Sequence, residues 1–246
     1  MISKNQAKYL KALSSKKQRR LSGEFLVQGE KNILELLGST LEVVEVYCTD
    51  SFKDQHNKLL TDYAVIETSA QQLSQVSTLT ANSDAIAIVK QPVHDAFEQK
   101  GLVLALDDVN DPGNLGTIIR LADWYGVRDI LISEQTADVY NPKTISATMG
   151  AFTRVKTHRV DLKAYLQTVN LPIYGAFLGG ENVHTNNFEN NAVIVMGNES
   201  HGISDEIAAL ITKKITIPSY GKSESLNVAM ATGIILDNAR RILSNN

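Results

Sequence analysis

The sequence predicts an α/β fold in two parts, a small α/β domain in front and a larger domain with a mostly parallel sheet behind it. Short apolar runs alternate with segments of helical periodicity along the chain. In the second half the apolar runs are continuous, which is typical of parallel strands covered on both faces. With 246 residues, 43% of them hydrophobic, the chain can bury one large core or two modest ones.

Composition and charge exclude several classes of protein. The longest apolar runs, such as VIVM and GIIL, are far shorter than the roughly 20 residues that cross a bilayer, and no charged-then-apolar leader opens the chain, so we expect a cytoplasmic protein. The single cysteine, Cys48, excludes an intrachain disulfide and a zinc site of several cysteines. Its place in the apolar run VVEVYC predicts a packed side chain rather than a nucleophile. The five histidines show no metal spacing, so we expect no metal.

A strongly basic segment opens the chain, although the net charge is only -3. Residues 1–20 carry seven lysines and arginines and no acidic residue, which predicts a basic helix with Tyr9, Leu10 and Leu13 against the protein. The cations expected to stay in water are Lys8, Lys11, Lys16, Lys17, Arg19 and Arg20. Such a helix suits an RNA phosphate backbone, but a solvated surface helix or a frayed terminus explains the charge equally well.

The first domain is predicted from alternating short strands and helices. The expected strands are EFLVQG, VVEVYC, YAVIET and DAIAIVK, and the expected helices between them are EKNILELL, KDQHNKLL and AQQLSQVS. The segment QPVHDAFEQKG breaks the apolar periodicity, contains a proline and precedes a strongly apolar strand. We therefore predict a first domain over residues 1–92, a linker over 93–100 and a second domain over 101–246.

The second domain is expected to carry the functional loops. Its predicted strands are GLVLALDDV, DILIS, PIYGAFL, AVIVMG and KITIP. Polar loops follow the first, fourth and last of them, namely DDVNDPGNLGTIIR, GNESHGIS and PSYGKSESLN. Ligands of open α/β sheets bind at the carboxyl edge of the strands, where these loops would meet. The last loop leads into a helix with one apolar face, formed by Val228, Ala231, Ile235, Ala239 and Ile242.

Common nucleotide motifs do not account for these loops. GNESHGIS has the glycine spacing of a phosphate-binding P-loop, but Ile203 stands where the lysine is required. No G-x-G-x-x-G follows the strand that ends near Asp107, so an ordinary dinucleotide fold is not indicated. Asp107 and Asp108 can bind magnesium or act as bases, but an acidic pair at a strand end is more often a cap.

Together the three loops resemble the signature motifs of the SpoU (TrmH-like) branch of the SPOUT (α/β-knot) superfamily, whose members transfer a methyl group from S-adenosylmethionine to a ribose 2'-hydroxyl of RNA. The residues that carry the resemblance are Asn114, Gly116 and Arg120 in the first motif, Gly197, Glu199 and Gly202 in the second, and Pro218, Ser225, Leu226 and Asn227 in the third. The match covers roughly the last 145 residues, and three separated motifs agree in order and spacing. Residues 1–92 resemble, less specifically, the small ribosomal-protein-like RNA-binding domain of many such enzymes.

The resemblance implies a trefoil knot in the second domain, with S-adenosylmethionine bent into it. The residues implied to bind this donor are Met196, Gly197, Ile217 and Leu226, with Phe177 from the strand PIYGAFL and its loop. Apolar side chains suit an adenine ring whose edge is read by main-chain groups. For Ile217 and Leu226, core packing is the alternative role.

The catalytic residues implied by the resemblance are Arg120, Asn114, Glu199, Ser225 and Asn227. An arginine essentially never loses its proton in a protein, so we expect Arg120 to stabilise the oxyanion or the adjacent phosphate rather than act as a base. The other four have alternative structural roles. Ser225 and Asn227 can cap the last helix, Asn114 can cap the helix that begins near Leu115, and Glu199 can hold Arg120.

The expected partners are RNA and a second copy of the chain. The predicted RNA contacts are Lys16, Lys17, Arg19, Arg20 and Arg154, with Tyr140 and Tyr220 as stacking candidates. The family acts as homodimers that pack through the last helix and the first motif. Ribosomal RNA is the preferred substrate and transfer RNA the alternative. A non-catalytic RNA-binding or assembly protein and a nucleotide-phosphate enzyme built on GNESHGIS are the other readings of the chain.

Overall fold

The computed structural model describes residues 1–79 and 84–243, with the side chains of residues 242 and 243 left out. In chain order the elements are α1 (Lys4–Ala12), α2 (Lys16–Ser22), β1 (Glu24–Gln28), α3 (Glu30–Leu37), β2 (Val43–Cys48), α4 (Asp50–Leu60), β3 (Val65–Glu67), α5 (Ala70–Val76), β4 (Ala85–Lys90), β5 (Leu102–Leu106), α6 (Pro112–Trp124), β6 (Asp129–Ile132), α7 (Pro142–Thr148), a 3₁₀ turn (Ala151–Thr153), β7 (Lys156–Arg159), α8 (Leu162–Thr168), β8 (Ile173–Asn182), β9 (Ala192–Met196), α9 (Asp205–Ala208), β10 (Lys213–Thr216) and α10 (Val228–Leu243). Each of these helices is too short or too polar to cross a lipid bilayer, a statement that covers only the described residues.

The chain divides into two compact units. The first contains Met1–Val93 and Asp138–Thr153, and the second contains His94–Ala137 and the chain from Arg154 onward. The segment Asp138–Thr153, which the sequence placed in the second domain, thus packs within the first unit. Residues 93–100, where the linker was expected, form neither helix nor strand.

Two short helices, rather than one, form the basic segment. Helix α1 ends before Leu13, and α2 starts at Lys16 after Ser15. Leu10 and Leu13 are fully buried, as predicted from their spacing. The cations that remain exposed, as expected, are Lys8, Lys11, Lys16, Lys17 and Arg20.

The prediction that Arg19 stays in water is wrong, since only 2% of its surface is exposed. Its Nη1 donates to the carbonyl oxygens of Leu13 at 2.8 Å and Ser14 at 2.7 Å. Its Nη2 donates to the carboxylate of Asp138 at 2.6 Å. A guanidinium can be buried only when it is paired and hydrogen-bonded in this way. Arg19 is therefore a structural residue of the first unit, and its charge is not presented to RNA.

The first unit is built on a four-stranded sheet in the order β1-β4-β2-β3. Strand β4 pairs antiparallel with β1 and β2, whereas β2 and β3 are parallel. All four predicted strands and the three helices between them are present. Cys48 is fully buried in the core, which confirms the expected packing role, and burial raises its pKa to about 11.

Tyr140 belongs to this core rather than to an exposed stacking surface. Its ring lies against Phe25 with 4.7 Å between ring centroids, and Ile145 of α7 is buried in the same cluster. Burial raises the pKa of Tyr140 to about 12. The stacking role suggested for Tyr140 from the sequence therefore conflicts with its packing.

The second unit contains a six-stranded parallel sheet in the order β10-β8-β9-β5-β6-β7. Strands β5 and β9 are buried along their whole length, as their continuous apolar runs predict. The sequence missed β7, because this edge strand, KTHR, has no apolar residue. All strands run the same way, so the loops after β5, β9 and β10 leave the sheet at one edge. The α/β class with a mostly parallel sheet is confirmed, and the knot stays a prediction.

Helix α10 packs against α6 along its apolar face. Val228, Ile235 and Ala239 are buried, while the side chain of Ile242 lies outside the described residues. Gly233 allows a close approach, since an added Cβ would lie 3.4 Å from a methyl group of Leu121. This contact brings the start of α10 and the start of α6, which carry the third and first motifs, to the same region of the second unit.

Candidate active site

A cavity of about 900 Å³ opens at the carboxyl edge of the parallel sheet, within the second unit. Its walls come from the middle of β8, the loop after β9, the end of β10 with the loop that follows, and the inner face of α10. Every residue predicted to bind the methyl donor lines it, namely Phe177, Met196, Gly197, Ile217 and Leu226. The structure therefore brings together residues from positions 177 to 226 that no local pattern connects.

The lining combines apolar side chains with a negative charge. Phe177, Ile215 and Ile217 supply apolar surface. Met196, the buried last residue of β9, also lines the cavity. The carboxylates in the lining belong to Glu199 and Glu224, and none of the described residues in it is a lysine or an arginine. Such a cavity favours a ligand with a flat apolar part and a positive charge.

Gly197 makes the loop after β9 compact. A Cβ added there would come within 2.2 Å of the carbonyl carbon of Gly202, so no larger residue fits without moving the backbone. Two main-chain hydrogen bonds join Asn198 and Gly202, at 2.9 and 3.0 Å, and close the turn. The helix that follows, α9, has only four residues. The resemblance to a P-loop is thus limited to glycine spacing, because a P-loop also needs its lysine and a following helix.

A hydrogen-bonded chain of three side chains connects the three motifs. The Nδ2 of Asn227 donates to the Oδ1 of Asn114 at 3.0 Å, and the Nδ2 of Asn114 donates to the Oε1 of Glu199 at 2.8 Å. The backbone sets the direction of this chain. The Oδ1 of Asn227 accepts the N–H groups of Ala229 and Met230 at the start of α10, so its Nδ2 must face Asn114.

The structure decides among the alternative roles of these residues. Asn227 does cap α10, as one interpretation held. Asn114 does not cap α6, because Asp111 occupies that position and accepts the N–H of Asn114 at 2.9 Å. Glu199 binds Asn114 and does not hold Arg120. Ser225 lines the cavity, and its side chain makes no hydrogen bond to another described residue.

Arg120 lies on the exposed side of α6, six residues after Asn114. It forms no hydrogen bond or ion pair with any other residue in the described part of the chain, and it is not part of the cavity wall. Its five N–H donors are therefore available to a bound substrate. Arg154 differs, since its Nε and Nη2 donate to the carboxylate of Asp123, the latter at 2.9 Å.

Asp107 and Asp108 fasten loops, which agrees with the capping interpretation of the acidic pair. The Oδ2 of Asp107 accepts the N–H of Ser204 at 2.7 Å, and the Oδ1 of Asp108 accepts the hydroxyl of Ser133 at 2.6 Å. Among the described residues, no group of three or more His, Cys, Asp or Glu side chains could hold a metal ion.

Sequence reasoning did not single out some lining residues. His201 and Glu224 are exposed at the cavity, and Asn198 lies between the two motif residues Gly197 and Glu199. Their place inside the motif loops was the available signal, but the contact that distinguishes Asn198, with the carbonyl oxygen of Asp108, comes from a distant part of the sequence. Tyr220, a predicted RNA contact, also lines the cavity and is 93% exposed.

Comparisons with known proteins agree with this geometry. A family model described as the SpoU rRNA Methylase family matches residues 101–237, and one described as the MRM3-like substrate binding domain matches residues 4–87. The 23S rRNA (guanosine(2553)-2'-O)-methyltransferase RlmP of Bacillus subtilis is 33% identical over 243 residues, which cover 96% of this chain and 97% of that protein.

Solved structures also resemble the whole chain. A putative RNA methyltransferase of the TrmH family from Porphyromonas gingivalis has a TM-score of 0.85 and 37% identity, and the match covers 98% of this chain and 99% of that one. An AdoMet-bound rRNA methyltransferase from Sinorhizobium meliloti has a TM-score of 0.87 and 27% identity, with 99% and 97% covered.

Proposed function

Because the chain belongs to the SpoU rRNA Methylase family, we propose that it transfers a methyl group from S-adenosylmethionine to a ribose 2'-hydroxyl of ribosomal RNA. The enzyme class expected from the three motifs, an RNA 2'-O-methyltransferase that depends on S-adenosylmethionine, is confirmed. The observation that carries the proposal is the chain of hydrogen bonds from Asn227 through Asn114 to Glu199, the last of which lines a cavity of about 900 Å³.

The cavity fits the methyl donor in its chemistry. Adenine needs apolar walls and main-chain groups at its edge, and Phe177, Ile217 and Leu226 lie beside exposed loop backbone. A sulfonium cation is favoured by Glu199 and Glu224, with no lysine or arginine among the described lining residues to oppose it. When bound, S-adenosylmethionine supplies a methyl group that is open to in-line attack by an oxygen nucleophile.

The polar residues at the cavity would hold the ribose. A ribose hydroxyl is a weak nucleophile at neutral pH, so its developing negative charge has to be stabilised. Arg120 supports this role, because its side chain is exposed and uncommitted among the described residues. Asn114 and Glu199 are fixed by their mutual hydrogen bond and can orient the ribose, with Ser225 at the same wall. A metal ion is not part of the proposal.

The first unit is the part of the chain that we assign to RNA recognition. Its exposed cations in α2 are Lys16, Lys17 and Arg20, and residues 4–87 match the substrate-binding family model. Ribosomal RNA is preferred because RlmP, whose name specifies 23S rRNA, matches nearly the whole chain. Transfer RNA remains the alternative substrate, and a cytoplasmic location belongs to the same proposal because both RNAs are found there.

A homodimer is also part of the proposal. The exposed large apolar side chains of the second unit include Trp124 at 82%, Met230 at 63% and Leu226 at 51%. They come from α6, from α10 and from the loop before α10. Apolar groups of this size on neighbouring elements support a second copy packing there. The proposal also includes a trefoil knot in the second domain, domain limits at 92 and 101, and an RNA contact by Arg154.

The test is transfer of labelled methyl from S-adenosylmethionine to separate pools of unmodified ribosomal and transfer RNA. Arg120→Ala should abolish ribose label, while Arg128→Ala, an exposed arginine in the same unit, should retain it. Arg120→Lys separates two roles, since anchoring by a guanidinium predicts loss at every pH, whereas a base predicts a shifted pH profile. Absence of label from both pools, despite measurable donor binding, would favour a non-catalytic RNA-binding protein.

A further inference from the structure

The side chain of Asn198 binds the loop that carries Glu199 to the end of β5. Its Nδ2 donates to the main-chain carbonyl of Asp108 at 2.7 Å, and its Oδ1 accepts the N–H of Ser200 at 2.8 Å. One amide group thus ties the loop after β9 to the end of β5 and also shapes the turn in which Glu199 lies. Both atoms of the amide are used, and in opposite hydrogen-bonding roles.

The anchor on the β5 side is itself rigid. Asp108 has a φ of 58°, in the left-handed region that residues other than glycine rarely adopt. Its N–H donates to the hydroxyl oxygen of Ser133 at 3.0 Å, and its carboxylate accepts from the same hydroxyl group. These contacts fix the direction of the carbonyl that Asn198 binds. At the far end of the loop, the carboxylate of Asp107 accepts the N–H of Ser204.

We infer that Asn198 is a positioning residue for methyl transfer, which sets the cavity wall and delivers Glu199 to Asn114. The inference rests on the proposed function. Asn198 lines the cavity and precedes Glu199, and Glu199 in turn accepts the amide of Asn114 at 2.8 Å. The hydrogen-bonded chain of the three motifs is therefore fastened to the sheet through Asn198.

The chemistry of the site requires an amide rather than a carboxylate or an apolar group. Asn198→Asp keeps an acceptor for Ser200 but places a negative oxygen against the carbonyl oxygen of Asp108. Asn198→Ala loses both bonds and leaves that carbonyl without its donor. Loss of a hydrogen bond with an unpaired partner destabilises the closed loop, so we expect it to open roughly 10-fold more often in either variant, a difference of about 1.4 kcal/mol.

The experiment compares the full-length wild type with Asn198→Asp, Asn198→Ala and a matched control. Asn191→Ala is that control, because Asn191 precedes β9 at its opposite end and also binds a main-chain group, the N–H of Gly101, at 2.9 Å. Without ligand, the amide protons of residues 197–204 should exchange roughly 10-fold faster in the Asn198 variants and at the wild-type rate in Asn191→Ala. Affinity for S-adenosylmethionine and kcat should each fall roughly 10-fold in the Asn198 variants only, because Glu199 and the cavity wall are then misplaced even while the loop is closed.

A double-mutant cycle separates positioning from a general loss of structure. If Asn198 acts through Glu199, the losses in kcat from Asn198→Asp and Glu199→Gln should combine to less than their product. Fully multiplicative losses would overturn the inference, as would an Asn198→Asp variant with wild-type exchange and kcat. A wild type that transfers no methyl would overturn the proposed function, whereas an active wild type and an equally active Asn198→Asp variant would overturn this inference alone.

Discussion

Replacing Arg19 with methionine should destabilise the first unit and leave RNA contacts largely intact. Arg19 is 2% exposed, and its partner Asp138 has 18% of its side-chain surface exposed. Arg19→Met would keep most of the buried aliphatic volume but leave the Oδ2 of Asp138 and the carbonyls of Leu13 and Ser14 without their donor. Breaking a buried ion pair from one side costs about 3–5 kcal/mol, a large share of the 5–15 kcal/mol that typically stabilises a domain.

Hydrogen exchange of the amides in β1 and β4 measures this loss, because these strands form the sheet on which the first unit is built. A cost of about 3 kcal/mol corresponds to exchange through unfolding that is faster by a factor of roughly 150. Lys16→Met and Lys17→Met are matched controls, since both residues are exposed in the same helix, and they should change exchange little.

In RNA binding we expect the lysine variants to show the larger effect and Arg19→Met the smaller one, the reverse of their effects on hydrogen exchange. Each lysine that contacts a phosphate contributes about 0.7–0.9 to the slope of log affinity against log salt, so Lys16→Met and Lys17→Met should flatten that slope. Arg19→Met should leave the slope unchanged when it is measured without denaturant, at a temperature at which the variant is folded. If Arg19→Met exchanges like the lysine variants and flattens the salt slope instead, the structural role of Arg19 is refuted.

Four further outcomes are expected. Gly197→Ala should abolish binding of S-adenosylmethionine, because its Cβ would come within 2.2 Å of the carbonyl carbon of Gly202; calorimetric titration measures this. Cys48 should resist alkylation by iodoacetamide at pH 8 in the native protein and react in urea, since burial raises its thiol pKa to about 11. Stability should fall as the pH rises from 9 towards 11, where the unfolded thiol is already ionised and the folded one is not, as urea titrations at each pH would show. Asn227→Ala should lower kcat about tenfold and destabilise α10 by about 1 kcal/mol, because it removes both the helix cap and the amide bound to Asn114.

Gly197→Ala has a matched control. Gly38→Ala should bind the donor normally, because its Cβ would meet no atom closer than 3.7 Å. Wild-type affinity in Gly197→Ala would show that the loop is not as tight as described. Rapid alkylation of native Cys48 would contradict its burial. An Asn227→Ala variant with reduced stability but unchanged kcat would leave Asn227 as a helix cap only.

The sequence was sufficient for the features that are encoded within a few neighbouring residues. Continuous apolar runs predicted the buried strands β5 and β9, and the resemblance to the SpoU motifs implied that Met196, Gly197 and Ile217 share one site. The spacing of apolar side chains along the chain decides such local features, so they can be predicted without knowing which helices and strands pack together. Strand β7 was missed because its four residues carry no apolar signal, and its pairing with β6 supplies what its own composition lacks.

Only the tertiary structure decided which polar groups pair with each other. Arg19 and Asp138 are 119 residues apart in sequence, and the composition of the basic segment predicted an exposed cation where the structure has a buried ion pair. Asn114 and Asn227 are 113 residues apart, and their hydrogen bond depends on α6 and α10 meeting. A charged or amide side chain can be solvated by water, can cap a helix or can bind a residue that is distant in sequence. Its role is set by the desolvation and hydrogen bonding that the folded chain imposes, and those depend on packing rather than on neighbouring residues.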